Sequence, residues 1–157
     1  MRWHMIDRID GWEPDRRLTG RKVTSAAEEF WDLTLDGRPR MPRPLVLESL
    51  AQAGTWLLML STDHARRGAL LSLGEVTFIG DVHPGDVLLL DVAITSLSDD
   101  TAVLDGTVHV AAGGAGQMRP VLTATDIICA VIEAERLDDP AATRRIAGQL
   151  LGTGALR

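Results

Sequence analysis

The 157-residue chain contains a single cysteine, Cys129. That excludes an internal disulfide and any metal site built from several thiolates. Cys129 sits in the apolar run Ile127-Ile128-Cys129-Ala130-Val131, so a buried, inert thiol is expected. Excess positive charge is also missing, the formal net charge being −6. A surface without a basic footprint argues against non-specific binding to nucleic acid or to anionic membranes. No N-terminal apolar stretch precedes a small-residue cleavage site. The longest apolar helical run, around residues 44–60, carries Glu48 and Gln52 and is too short for a bilayer span. A cytoplasmic protein is expected. What remains, 45% hydrophobic and 24% charged residues, suffices for one domain with its own core.

Met5–Ile9 reads as a short extended segment ending at Gly11, and Arg17–Val23 as a second strand. Ser25, followed by acidic residues at 28 and 29, predicts the start of a short helix over Ser25–Trp31. Pro39, Pro42 and Pro44 punctuate the next loop, and Pro44 suits a first helical turn. The helix from Pro44 to about Ser61 is apolar on nearly every side and is expected to be buried on most of them. Within it Glu48 and Gln52 stand one turn apart on one face. Burying a carboxylate there is costly unless it is paired or used, although a helix start by itself favours an acidic side chain. Strands follow at Leu70–Phe78, Val87–Ile94, Thr101–Val110 and Arg119–Ile132, separated by turns at Asp81–Asp86, Asp99-Asp100 and Gly113–Gly116. The predicted fold is α+β, an antiparallel sheet wrapped around one long buried helix, with a sheet edge able to pair with another copy. One domain over residues 1–137 is expected, with a weakly helical, peripheral tail over 138–157.

Several stretches, in order, resemble a known family. Gly37-Arg38-Pro39-Arg40-Met41-Pro42 and Glu48-Ser49-Leu50-Ala51-Gln52 resemble the loop-and-helix motif of the hot-dog-fold 3-hydroxyacyl-[acyl-carrier-protein] dehydratases of fatty acid and polyketide synthesis. That motif runs Gly-His-Phe-Pro-Gly-x-Pro-x-Met-Pro-Gly, then Glu-Ala-Leu-Ala-Gln. Asp7-Arg8-Ile9 is similar to the family's N-terminal strand, and Phe78 through Val82-His83-Pro84-Gly85-Asp86 to its turn before a long strand. The likeness spans about residues 5–133. It implies a hot-dog dimer acting on a chain carried by the phosphopantetheine of an acyl carrier protein, with no metal and no resident cofactor. It also implies a histidine that removes the proton α to the thioester carbonyl and a glutamate that helps expel the 3-hydroxyl, the two coming from different subunits.

The departures fall on that chemistry. In register with the family histidine stands Thr34, flanked by Leu33, Leu35 and Asp36, and Arg43 replaces the glycine after Met-Pro. The family's other common histidine would fall before Met1. A threonine hydroxyl does not titrate near neutral pH and cannot act as the base, although it can position a ligand or water. Asp36 and His4 are weak candidates to stand in. His64 reads as a charge favourable to the helix dipole, His83 as a solvated turn residue, and His109 as a strand residue without an acid partner.

The resemblance assigns Glu48 as the catalytic acid and Gln52, Thr34 and Gly37 as substrate-positioning residues; Gln52 could equally satisfy neighbouring backbone. Arg38, Arg40 and Arg43 form a basic cluster suited to docking an acidic carrier protein and its phosphate, or are scattered surface arginines. Three functions compete. The first is a dehydratase subunit that supplies Glu48 to a site whose histidine comes from a homologous hot-dog partner. The second is a non-catalytic acyl-binding or stabilising subunit. The third is a divergent hot-dog thioesterase using Glu48 or Asp36.

Overall fold

Pro42, with ψ 130°, swings the chain into helix α1 (Arg43–Ser61), and Pro44 occupies its first turn, where no N–H is needed. In this computed structural model, which describes residues 4–111 and 117–152, α1 is the axis of the core. Val46, Leu50, Ala53 and Leu57 recur at helical spacing and are buried, Leu50 and Leu57 completely. Ser49 is equally buried because its hydroxyl donates to the Leu45 carbonyl at 3.0 Å.

A six-stranded antiparallel sheet wraps this helix. Its strands are β1 (Arg8–Glu13), β2 (Arg17–Val23), β5 (Arg66–Phe78), β6 (Val87–Leu97), β7 (Thr101–Ala111) and β8 (Met118–Glu133). They lie in the order β1-β2-β6-β7-β8-β5. Alternation puts Leu88, Leu90 and Val92 of β6 and Ala102, Leu104, Val108 and Val110 of β7 onto α1's side. Gly106 marks the closest approach: a Cβ there would lie 2.8 Å from Leu50 and 2.9 Å from the Asp91 carbonyl. The expected α+β design is the one observed. The predicted turn at Gly113–Gly116 lies outside the described residues, but its flanks pair, Ala111 opposite Met118.

Several expectations need correction. Ser25–Trp31 forms turns instead of a helix: Glu28 donates its N–H to the Ser25 carbonyl at 3.2 Å, and the Trp31 indole donates to the same carbonyl at 3.0 Å. Seven residues are too few for a helix to repay its nucleation cost. Glu28 is also drawn to the buried Lys22 ammonium, 3.1 Å away. At the chain's start, β1 runs from Arg8 to Glu13, while Met5 and Ile6 are buried just ahead of it.

The C-terminal segment forms α2 (Pro140–Leu151). Asp139 caps it by accepting the Ala141 N–H at 3.0 Å, and Gly152, at φ 72°, follows it. Ala147 and Leu150 are buried within the common core, so this helix covers the domain near β1 and is more than a peripheral appendage.

At the exit of α1, Asp63 and His64 both have positive φ, 48° and 65°. The His64 Nδ1 is buried without a hydrogen-bond partner among the described residues. Burial pushes its pKa below the ordinary value, Asp63 opposing this and Arg144 adding to it. His64 is therefore neutral at pH 7 and does not supply the charge expected at the helix end. A histidine whose folded pKa is lowered favours the native state while neutral. That contribution is lost as pH falls below about 6.5, where the unfolded chain takes up the proton first. His64→Asn, which tolerates the left-handed backbone, is expected to flatten this part of the profile of urea midpoint against pH.

Candidate active site

On the open face of α1, the Gln52 side-chain amide donates to Glu48 Oε1 at 2.8 Å. The Gln52 Oε1 accepts the backbone N–H of Met5, also at 2.8 Å. Gln52 thus orients the carboxylate and satisfies the backbone of the N-terminal segment. Glu48, Gln52 and His4 line one cavity of about 350 Å³. Glu48 is exposed in the single chain, so the burial penalty anticipated from its apolar neighbours is not incurred. What singles it out is its fixed orientation at a cavity mouth.

The remaining walls come from residues for which the sequence predicted no site role. Trp56 and Met59 of α1, Arg67 of β5, and Thr143 and Ile146 of α2 complete the cavity. Arg67 donates to the Asp138 carboxylate, whose side chain is only 7% exposed. The one available signal was Asp139-Pro140, a capping residue followed by a proline suited to a first helical turn, which marks α2 but not where it packs.

Thr34 lies elsewhere. It opens the turn of a small hairpin, β3 (Asp32–Leu33) and β4 (Pro39–Arg40). The Thr34 N–H donates to the Arg38 carbonyl at 2.9 Å, and the Arg38 N–H donates to the Thr34 hydroxyl oxygen at 3.0 Å. The hydroxyl itself donates to the Asp36 carboxylate. Gly37, at φ 75°, allows the chain to reverse there, a turn role independent of any ligand. Thr34, Asp36, Arg38, Arg40 and His83 line a second, open cavity of about 730 Å³, and Glu48 is not among its walls. Within one chain, Thr34 and Glu48 are not brought together. The Thr34 hydroxyl is the main cause holding the Asp36 carboxyl below its ordinary pKa; slight burial opposes this and Arg38 adds to it. Asp36 is thereby a weaker base than a free carboxylate.

The three arginines of the loop all have intramolecular partners. Arg38 stands 3.4 Å from Asp36, while Arg40 and Arg43 each stand 3.8 Å from Asp81. The Arg43 guanidinium also sits 5.7 Å above the Phe78 ring. Three guanidiniums less two carboxylates leave one net positive charge. His83 is not simply solvated: its Nδ1 lies 2.8 Å from the Pro39 carbonyl and props the base of the hairpin. Cys129 is buried, and that burial pushes its thiol pKa up, as befits an inert thiol. Among the described residues, no group of three or more His, Cys, Asp and Glu side chains is placed to hold a metal ion. Nor is any helix among them long and apolar enough to cross a membrane.

A buried central helix wrapped by one antiparallel sheet, with a carboxylate and an amide one turn apart at a cavity, defines a hot-dog-fold protein. The FabA-like domain model matches residues 1–115. Among similar proteins, the 3-hydroxyacyl-[acyl-carrier-protein] dehydratase FabZ of Natranaerobius thermophilus is 35% identical over 107 residues, covering 68% of this chain and 75% of the relative. The FabZ of Rhizorhabdus wittichii is 31% identical over 109 residues, covering 68% and 69%. The chain belongs to the FabA-like dehydratase family. Solved structures agree on the fold. The smu.793 protein of Streptococcus mutans bound to acetyl CoA superposes with a TM-score of 0.62 at 16% identity, covering 85% of this chain and 94% of that one. A hypothetical thioesterase of Streptococcus pneumoniae with coenzyme A gives 0.58 at 17%, covering 80% and 85%.

Proposed function

We propose that this chain is a dehydratase subunit acting on 3-hydroxyacyl thioesters carried by acyl carrier protein, in fatty acid or polyketide-type synthesis. It supplies Glu48 to a site whose histidine comes from a homologous hot-dog partner. The observation that carries this reading is the separation of the two halves. Glu48 is oriented by Gln52 in one cavity, while the position in register with the family histidine holds a hydroxyl engaged in its own turn. A site shared across a dimer has one chain give the acid and the other the base. The partner imidazole removes the Cα proton and the electron pair forms the Cα=Cβ double bond. The Cβ–O bond breaks as Glu48, acting as a carboxylic acid, protonates the leaving hydroxyl to water. The proton on the imidazole then returns to Glu48 through solvent.

Several features support such an assembly. Strand β5 is a 13-residue sheet edge bearing Leu70 and Leu71, 50% and 64% exposed, the kind of edge that pairs with another chain. A partner there also offers cover for Glu48. Arg38, Arg40 and Arg43 dock the carrier and its phosphopantetheine phosphate when acidic groups of the carrier replace Asp36 and Asp81 as their partners. The protein works in the cytoplasm, and its only prosthetic group is the carrier's own.

The second reading, a stabilising subunit without chemistry of its own, draws on the same engaged Thr34 hydroxyl. The thioesterase separates from both readings by product, and the stabilising subunit from the catalytic one by whether the Glu48→Gln complex keeps its rate. Incubating the chain and a histidine-bearing homologue with a carrier-bound 3-hydroxyacyl thioester should yield the conjugated 2-enoyl thioester, seen by its ultraviolet absorbance, without free thiol. Release of free thiol in place of the enoyl product would make the protein a hydrolase.

A further inference from the structure

The Glu48 cavity is a groove with a direction. Its α1 wall is Glu48, Ala51, Gln52, Thr55, Trp56 and Met59, a spacing that keeps to one face of the helix. Glu48 and Gln52 stand at its start. The C-terminal segment closes in from the other end, beside the exit of α1. There the Ala134 N–H donates to the Ala65 carbonyl at 2.9 Å, Asp138 pairs with Arg67, and the charge of Arg144 is felt at His64. This segment brings Leu137 and Ile146 to the groove. Leu137 is 56% exposed, Leu70 of the facing β5 is 50% exposed, and Ile146 is half-buried. Apolar surface left open beside a cavity marks a binding surface. The two charges of the same wall, Arg67 and Asp138, neutralise each other, so this end offers no counter-charge to an ionised group.

We propose that this groove holds the alkyl tail of an acyl chain whose 3-hydroxyl lies beside Glu48, and that Leu137 and Ile146 close its far end, limiting the substrate to medium-length chains. This names the substrate class for the dehydratase reading and rests on it. Helix α2 lies outside the residues 1–115 matched by the FabA-like domain, so the stop comes from this chain's own C-terminal segment. At about 30 Å³ per water-sized group, a volume of about 350 Å³ admits about a dozen groups. The thioester carbonyl, C2 and the hydroxyl-bearing C3 take the first few, which leaves roughly seven carbons of tail and about ten in the acyl chain. Seven bonds at about 1.2 Å each span about 8 Å. That brings the tail's end close to Thr55, which lies about 10 Å along α1 from Glu48. Thr55 Oγ1 approaches the Gly68 carbonyl at 3.4 Å, and the neighbouring Arg67 holds Asp138, and with it Leu137, at that level.

The test is calorimetric binding of three pantetheine amides, which replace the thioester sulfur with NH, to the full chain. They carry 3-hydroxybutanoyl, 3-hydroxydecanoyl and 3-hydroxytetradecanoyl groups, the last kept below its micelle concentration. Each buried methylene is worth up to about fourfold in affinity, so the decanoyl ligand should bind at least about a hundredfold tighter than the butanoyl one. The tetradecanoyl ligand should bind no tighter than the decanoyl. Ile146→Ala should lift the limit, the tetradecanoyl ligand then binding about fivefold tighter than the decanoyl or better. Ile146→Trp should cut the preference for decanoyl over butanoyl about tenfold, and Ile146→Phe tests the same direction if the tryptophan variant fails to fold. Affinity that keeps climbing to the tetradecanoyl ligand in the native chain overturns the stop. Chain-length ratios indifferent to the Ile146 variants also overturn it. Equal affinity for all three ligands, with binding still sensitive to Glu48→Gln, overturns the groove and leaves the dehydratase reading standing. Binding of none of the three removes the acyl site at Glu48 and the groove with it.

Discussion

Replacing Glu48 by glutamine in the complex with a histidine-bearing partner is expected to lower the dehydration rate by about 10²–10⁴-fold. Glutamine preserves the size of the side chain and an oxygen able to accept from the Gln52 amide, which reaches Glu48 Oε1 at 2.8 Å in the native chain. It has no carboxyl proton to give the departing hydroxyl. The loss should therefore appear in kcat far more than in KM, since the group acts as charge develops on the leaving oxygen. Folding should be nearly unaffected, because the side chain is exposed in the single chain. Steady-state kinetics on the reconstituted complex, with a thermal melt of the variant, checks both statements. An unchanged kcat would place this chain among stabilising subunits.

The largest effect on stability is expected at Leu50. Its side chain is completely buried on α1, against the sheet at Gly106. Leu50→Ala should destabilise the fold by about 2–5 kcal/mol, read as a lower urea midpoint at unchanged slope. Relaxation is hindered because the opposing residue has no side chain to move into the void. The backbone there is already close, with the Asp91 carbonyl 2.9 Å from where a Gly106 Cβ would stand. Gly106→Ala alone should also destabilise, since its methyl would meet Leu50 at 2.8 Å. Combined with Leu50→Ala, that methyl gains room, so the double variant should be more stable than the sum of the two losses predicts. Simple additivity would contradict the contact.

The residues that announced themselves in the sequence are those whose roles are local. Pro44 and the run of leucines marked α1 from its first turn to Ser61, and apolar segments bounded by turn residues marked the long strands from β5 to β8, with clean alternation over Thr101–Val110. The pairing of Glu48 with Gln52 follows from helical spacing alone. Contacts distant in the chain were invisible. Arg67 and Asp138 are 71 residues apart, and nothing in either segment points to the other. Met5 and Gln52, 47 residues apart, meet through a backbone N–H that no sequence pattern distinguishes. Ser25–Trp31 misled because a capping residue and acidic neighbours are also good turn formers, and the choice was made by Lys22 and the Trp31 indole. For His64, the helix end was read correctly, but the burial of its ring was not. The basic loop looked free for docking because Asp81, which answers two of its arginines, lies about forty residues further on.

The central claim is that the acid and the base of one site reside on different chains. The most direct measurement is the dehydration rate of a carrier-bound 3-hydroxyacyl thioester under three conditions: this chain alone, this chain with a histidine-bearing homologue, and this chain with that homologue after its histidine is changed to alanine. The account predicts turnover only in the second. Robust dehydration by the pure chain would contradict it, placing the base within this polypeptide, where His4 is the imidazole lining the Glu48 cavity.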